Sequence, residues 1–388
     1  MALLGTSLPS RVMRLRGGCA RNAAPSSEVI VVVGIPRWRR GPRAGGLVFP
    51  FVIGLVIVLG PGITPASATF SEGQWLNSGG AARTPSTPAF VSVGSHQYRV
   101  VRGEDGRLWA SHNDGPATLM PDAQTGVGPE IVAAGGRVVA LHTGTNGYVY
   151  YSFLQNTEGT SWTPWTQVPA YADTVNSVQA TVVDGLDVVL LVTQRDGSPA
   201  MQTMRLWDQS PDFDGSWTRN TNGRFNSAVD ITAREIMDSR GNPTLETEII
   251  FEGRGMDNRV WYSAVPLRDF ASARFSQLPG DGVCDLTPAI GRGGLPDRFV
   301  TDPNDPNFRS QQEFSLACIS PDDGNVWINR STDNGNSWSG WNRTTDGAGP
   351  SNASPSIHSD GANIYAALSW NENRDGRYPD HAIVEKRI

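Results

Sequence analysis

Four aromatic residues, Trp109, Tyr150, Trp261 and Trp327, stand at one phase of a recurring phrase: Asp or Asn, then Gly or Asn, one further residue, Leu or Val, and the ring. The copies read Asp105-Gly106-Arg107-Leu108-Trp109, Asn146-Gly147-Tyr148-Val149-Tyr150, Asp257-Asn258-Arg259-Val260-Trp261 and Asp323-Gly324-Asn325-Val326-Trp327, with degraded copies opening at Asp196-Gly197 and Asp375-Gly376. A flat ring repeated at equal phase is a platform on which a sugar face stacks. The same ring also suits packing between neighbouring sheets, so both readings stay open here. Four equivalent rings cannot all serve a single catalytic centre, which turns the chemistry towards recognition.

The remaining reactive residue types are sparse. Of three cysteines, Cys19 lies near the N-terminus and leaves Cys284 and Cys318. An even pair in an exported chain predicts a disulfide, worth roughly 3 to 4 kcal/mol on the chain-entropy model. Two isolated cysteines without nearby histidines cannot build a closed zinc site, and no cofactor or metal is called for. His112, His142 and His358 have no repeated companions and read as ordinary polar residues. The acidic runs Asp302-Pro303-Asn304-Asp305 and Asp208 to Asp214 depart from the spacing of a calcium loop and read as solvated turns. Asn329, Asn342 and Asn352 open Asn-x-Ser/Thr sequences that read as chance in a bacterial chain.

These residues need elements to hold them. A turn pair that accepts positive φ, followed by alternating apolar and aromatic positions, predicts a hairpin entering a half-buried strand. A Pro or small residue opens a further strand at Thr87-Pro88-Ala89-Phe90, Gly128-Pro129-Glu130-Ile131, Ser177-Val178-Gln179-Ala180, Ser227-Ala228-Val229-Asp230, Thr287-Pro288-Ala289-Ile290 and Ser354-Pro355-Ser356-Ile357. Apolar stretches such as Arg137 to Leu141 and Phe314 to Ile319 lie between each opening and the next turn. After the turn strand comes a Trp-centred segment such as Trp162-Thr163-Pro164-Trp165 or Trp338-Ser339-Gly340-Trp341. Four short strands in about 40 to 65 residues, six times over, predict an all-β propeller of six blades. The segment around Trp75 has fourth-strand character while the chain ends on a third strand, His381 to Ile388, so the N-terminal strand is expected to close the last blade. In that register Cys284 and Cys318 fall at one rim.

Residues 1–68 stand apart from this pattern. Arg37, Arg39, Arg40 and Arg43 precede an apolar run from Leu47 to Leu59, then Gly60, Pro61, Gly62, Pro65 and Ala66-Ser67-Ala68. The run is shorter than the roughly 20 residues a spanning helix needs, so the segment reads as a signal peptide and leader, and 69–388 as one propeller domain of a secreted protein. The leader holds eight of the 32 basic and one of the 38 acidic residues. Its removal leaves 24 against 37, a formal charge of −13. An acidic surface argues against nucleic acid or anionic membrane as partners. Lys386 is the only lysine beside 31 arginines, a bias that reads as a GC-rich, actinobacterial genome.

Ser331-Thr332-Asp333-Asn334-Gly335-Asn336-Ser337-Trp338 resembles the Asp-box, Ser/Thr-x-Asp-x-Gly-x-x-Trp, of sialidase-like six-bladed propellers. The resemblance implies a structural role: Asp333 bonds the turn amides, Gly335 turns the chain, and Trp338 packs between sheets, with Ser331 opening the box. The repeat Gly-x-Asp-Gly-x-Leu-Trp followed by Trp-x-x-Trp, closest at Val101 to Trp109, resembles the tandem-repeat propeller lectins of bacteria and fungi of the fucose-binding kind. That resemblance implies a lectin-like, non-catalytic protein whose partners are glycans or glycoconjugates, with seven blades as the alternative count. The sialidase likeness implies the other reading, an exo-glycosidase, for which Arg83, Arg224, Arg254, Asp173, Asp285 and Asp230 are the rim candidates. No Phe/Tyr-Arg-Ile-Pro sequence of such enzymes occurs early in the mature region. A structural or protein-binding propeller is the third class.

Overall fold

The computed structural model describes residues 76–77 and 83–388, apart from 114, 184, 208–209, 238–242, 281, 294–312, 334, 345–350, 352, 360–362 and 370–382. Trp75, the leader, the Asp375-Gly376 turn and the acidic run at 302–305 lie outside the described residues. Strand β1 (Leu76–Asn77) belongs to the last blade. Blade one is β2 (Ala89–Val93), β3 (His96–Arg102), β4 (Arg107–His112) and β5 (Thr118–Gln124), and blade two is β6 (Glu130–Ala134), β7 (Arg137–Thr143), β8 (Val149–Phe153) and β9 (Thr166–Gln167). Blade three holds β10 (Gln179–Val183), β11 (Asp187–Thr193), β12 (Pro199–Trp207), β13 (Ser210–Phe213) and β14 (Thr218–Arg219). Blade four is β15 (Phe225–Met237), β16 (Pro243–Gly255), β17 (Val260–Pro266) and β18 (Ser276–Gln277), with a short 3-10 helix, Leu267–Ser272, between the last two. Blade five is β19 (Ala289–Gly293), β20 (Glu313–Ile319), β21 (Val326–Ser331) and β22 (Asn342–Arg343); blade six is β23 (Ser356–Ser359), β24 (Ile364–Ser369) and β25 (Ile383–Arg387).

Six antiparallel sheets result, and each innermost strand touches the next, β2 to β6, β10, β15, β19, β23 and back to β2. The ring therefore has six blades, not seven. Leu76 pairs with Glu385 and Asn77 with Val384, so the N-terminal strand completes blade six as the repeat register requires. This closure covers the outer edge of β25, which another chain could otherwise extend.

The core lies between blades. Each sheet presents alternate residues to its two neighbours: Val139, Leu141 and Val149 of blade two meet Val188, Leu190 and Val192 of blade three, while Ile250 and Val260 of blade four meet Phe314 and Leu316 of blade five. A hydroxyl device repeats at the rim. Thr125 Oγ1 donates to Thr143 O at 2.7 Å, Thr174 Oγ1 to Thr193 O at 2.6 Å and Ser351 Oγ to Ser369 O at 2.6 Å. The same hydroxyls accept the N–H two residues on, from Val127, Asn176 and Ala353. This satisfies main-chain groups where the chain crosses between blades, which a buried crossing requires. Cys284 and Cys318 form the predicted disulfide, with Cα atoms 5.6 Å apart, and are 1% and 2% exposed.

Two features exceed the repeat. The run from Asp208 to Asp214, read as a solvated turn, supplies a fifth strand, β13, that pairs with the end of β12. The β15–β16 hairpin has 13 residues per strand where other blades use four to seven. Within it, the part-buried Arg234 donates from Nε to Glu248 Oε2 at 2.6 Å.

Candidate functional site

The recurring turns share one construction. Gly106, Gly147, Gly197, Asn258 and Gly324 all have positive φ, between 62° and 84°. The Asx side chain before each accepts the N–H two residues on: Asp105 from Arg107 at 3.0 Å, Asn146 from Tyr148 at 3.2 Å, Asp196 from Ser198 at 3.0 Å, Asp257 from Arg259 at 3.1 Å and Asp323 from Asn325 at 3.0 Å. That Asx turn is why Asp or Asn precedes the positive-φ position.

The aromatic ring four residues after the Asx folds back over its own turn. Trp261 Nε1 donates to Asp257 Oδ1 at 3.0 Å, Trp327 Nε1 to Asp323 Oδ1 at 3.4 Å, and Asn146 Nδ2 donates to Tyr150 Oη at 2.9 Å. Trp109 and Trp261 lie so close over Gly103 and Gly255 that a Cβ there would come within 2.9 and 2.6 Å of the ring. All four rings are half-buried. Trp109 packs on Phe90, Val101, Ala367 and Ile383, between blades one and six, and Trp261 on the core of blades three and four. Tyr150 stacks on His142 with centroids 5.1 Å apart. The rings are thus built into the rim, each with a flank still reaching solvent.

At Trp261 that flank faces a cleft of about 560 Å³ between blades three and four. The chain leaving blade three contributes Asn222, Gly223 and Arg224; the blade-four turn contributes Met256 and Asp257; and the approach to β18 contributes Arg274 and Phe275. Met256 is 72% exposed. Asn222 is fixed by donating to Ser272 O and Ala273 O at 3.2 Å each, and Arg224 by donating to Gly223 O at 2.8 Å. An apolar wall with polar groups at its mouth is the composition of a small-molecule site.

A second space, the central channel of about 260 Å³, is lined by the innermost strands. Glu130, Gln179 and Asp230 stand at one level on β6, β10 and β15, and the Gln179 amide, with its NH2 turned inward, donates to Asp230 Oδ1 at 3.0 Å and Glu130 Oε2 at 3.1 Å. Asp230 also accepts from Ile290 N and Ile231 N, both at 2.8 Å. The two carboxyls are half-buried by accessible area but enclosed by low-dielectric walls. Burial pushes Asp230 up to about 7 despite those amide bonds, and burial with the neighbouring Asp230 pushes Glu130 well up. Glu252, across β16 from Asp230, is 0% exposed and is raised by the same two causes.

Five of the rim candidates for a glycosidase fall at four separate places. Arg224 lines the cleft and Asp230 the channel; Asp173 pairs with Arg195 at 3.1 Å; Arg254 donates to the main-chain oxygen of Asp285. In the Ser331–Trp338 turn, Asp333 accepts from Ser331 Oγ and Ser337 N at 2.8 Å each, and Gly335 N donates to Ser331 Oγ at 2.8 Å. Trp338 packs edge-on to Tyr262 between blades four and five, 6.4 Å between centroids.

No protein-family model matches the chain. Among solved structures, a triple arginine-to-alanine mutant of AofleA from Arthrobotrys oligospora superposes with a TM-score of 0.54 at 9% identity, over 77% of this chain and 83% of that one. AofleA itself gives 0.50 at 10% identity over the same shares. The Aleuria aurantia lectin, described as a fungal lectin with a six-bladed β-propeller fold, gives 0.48 at 9% identity, over 74% of this chain and 89% of that one. At such identities the likeness to AofleA speaks for the fold alone.

Sequence reasoning found Trp261, and found Arg224 only as a rim candidate. It missed Met256, Arg274 and Phe275. Met256 sits inside the repeat phrase, in the place of Glu104 and Thr145, where an exposed apolar residue is the legible signal. Arg274 and Phe275 precede a fourth strand and carry no such mark.

Proposed function

We propose that the protein is a carbohydrate-binding propeller that takes a saccharide in the cleft between blades three and four. The observation that carries this reading is the cleft itself: Trp261, held in place by Asp257, stands beside exposed Met256 and Phe275 with Arg224 and Arg274 at the mouth. A clamped indole loses little freedom when a sugar face covers it, and the guanidinium groups supply directional donors. A mutant of the Aleuria aurantia lectin is described in complex with α-methyl-L-fucoside, but here the cleft rather than that likeness carries the reading. The Ser331–Trp338 turn serves as a structural Asp-box. The oxidised Cys284–Cys318 pair supports an extracytoplasmic setting.

A glycan array probed with the purified protein, with Met256→Arg as the comparison, tests the reading. Met256 is exposed, so the substitution fills the cleft without disturbing the core. Binding by the wild type and a loss of at least ten-fold in the variant at unchanged melting temperature is the expected result. Equal binding by both proteins places recognition elsewhere.

A further inference from the structure

We infer that the cleft selects an anionic saccharide, one carrying a carboxylate or a sulfate group; the inference rests on the reading of the cleft as a glycan site. The argument is a balance of donors and acceptors. Five exposed arginines of this acidic chain meet carboxylates: Arg195 with Asp173, Arg205 with Asp187, Arg219 with Asp196, Arg268 with Glu246 and Arg343 with Asp323. The two arginines of the cleft do not. Arg224 donates only to the main-chain oxygens of Gly223 and Thr221, and Arg274 has no hydrogen bond or ion pair among the described residues.

The acid lining the cleft, Asp257, is already engaged. Its Oδ1 accepts from Arg259 N at 3.1 Å and from Trp261 Nε1 at 3.0 Å, and its Oδ2 lies 3.3 Å from the same indole nitrogen. A neutral sugar presents hydroxyls that donate as well as accept, and such ligands are best met by free carboxylates as well as by guanidinium groups. This cleft offers donors in excess and a net positive charge. Acceptor-only oxyanions are the complement of two guanidinium forks, while Trp261, Phe275 and Met256 give the sugar ring its apolar face.

The test is calorimetric titration of the whole protein with trigalacturonate and with its methyl ester, at about 50 and 300 mM NaCl, beside an array carrying matched neutral, carboxylated and sulfated saccharides. The acid form is expected to bind at least ten-fold more tightly than the ester, to weaken several-fold at the higher salt, and to lose five-fold or more in Arg224→Gln and in Arg274→Gln. Both arginines are exposed, so unchanged melting of these variants confirms that the fold is intact. Preferential capture of sulfated array members, lost in the same two variants, equally supports the inference. Binding of neutral saccharides as tightly as charged ones, lost in Met256→Arg but not in the arginine variants, overturns the anionic preference and leaves the glycan cleft standing. An array on which no saccharide binds overturns both.

Discussion

His142 shows how a single residue in this rim titrates away from its ordinary range. It is buried, stacked on Tyr150 and met edge-on by Trp165 at 4.5 Å, and burial lowers its pKa to about 4. The folded protein therefore holds it neutral where the unfolded chain, with a pKa near 6.5, takes up a proton. Stability from this residue is intact above about pH 6.5 and falls as pH drops towards 4, by about 3 kcal/mol at pH 4. Asp230 acts in the opposite sense, because its raised pKa makes the fold bind protons more tightly as pH falls below about 7. Urea denaturation of wild type and His142→Phe across pH 4 to 8 separates the two. The stability difference between the proteins is expected to shift in favour of Phe as pH falls, and a pH-independent difference would show that His142 is not buried neutral.

At the scale of one element, the Ser331–Trp338 turn is a closed set of bonds around Asp333. Burial alone would raise that carboxyl, yet the bonds from Ser337 and Ser331 hold it below its usual range. Asp333→Ala leaves the Ser337 amide and two hydroxyls without their acceptor and is expected to cost about 1 to 3 kcal/mol in thermal stability. Saccharide binding in the cleft between blades three and four should be unchanged, since the turn belongs to blade five. A variant that melts like the wild type but no longer binds would make Asp333 a ligand contact instead. The aromatic turns follow the same logic with an added feature: the Asx that caps the turn also anchors the ring, so Trp261 serves structure with its edge and is available to ligand with its flank.

For the molecule as a whole, the ring depends on its two ends meeting. Residues 76–77 supply the outermost strand of blade six, and Ser369 Oγ of β24 donates to Thr84 O just after it. Removing residues up to 82 exposes the unpaired edge of β25. That truncation is expected to lower the melting temperature and to promote self-association, measured by calorimetry and by sedimentation velocity. A truncated chain that stays monomeric with wild-type melting would show that closure by the N-terminal strand contributes nothing.

Much of this architecture is legible one residue at a time, because its determinants are local. Positive φ at Gly106, Gly147, Gly197, Asn258 and Gly324 is demanded by each turn separately, and the alternation after it is demanded by a strand with two buried faces. Six such units, an N-terminal strand out of register with the C-terminal one, and a cysteine pair at one rim could all be read from spacing. The tertiary structure alone decided what meets across blades. Arg224, Met256 and Arg274 come from three segments that the repeat register treats as unrelated, and they share a cleft only because the ring packs the exit of blade three against the turn of blade four. The lengthened β15–β16 hairpin and the extra strand β13 are likewise invisible to a repeat, since they are departures from it. Local rules fix a blade because its turns and strands satisfy their own main-chain groups. Contacts between blades depend on side chains brought together by closure, and no short-range pattern encodes them.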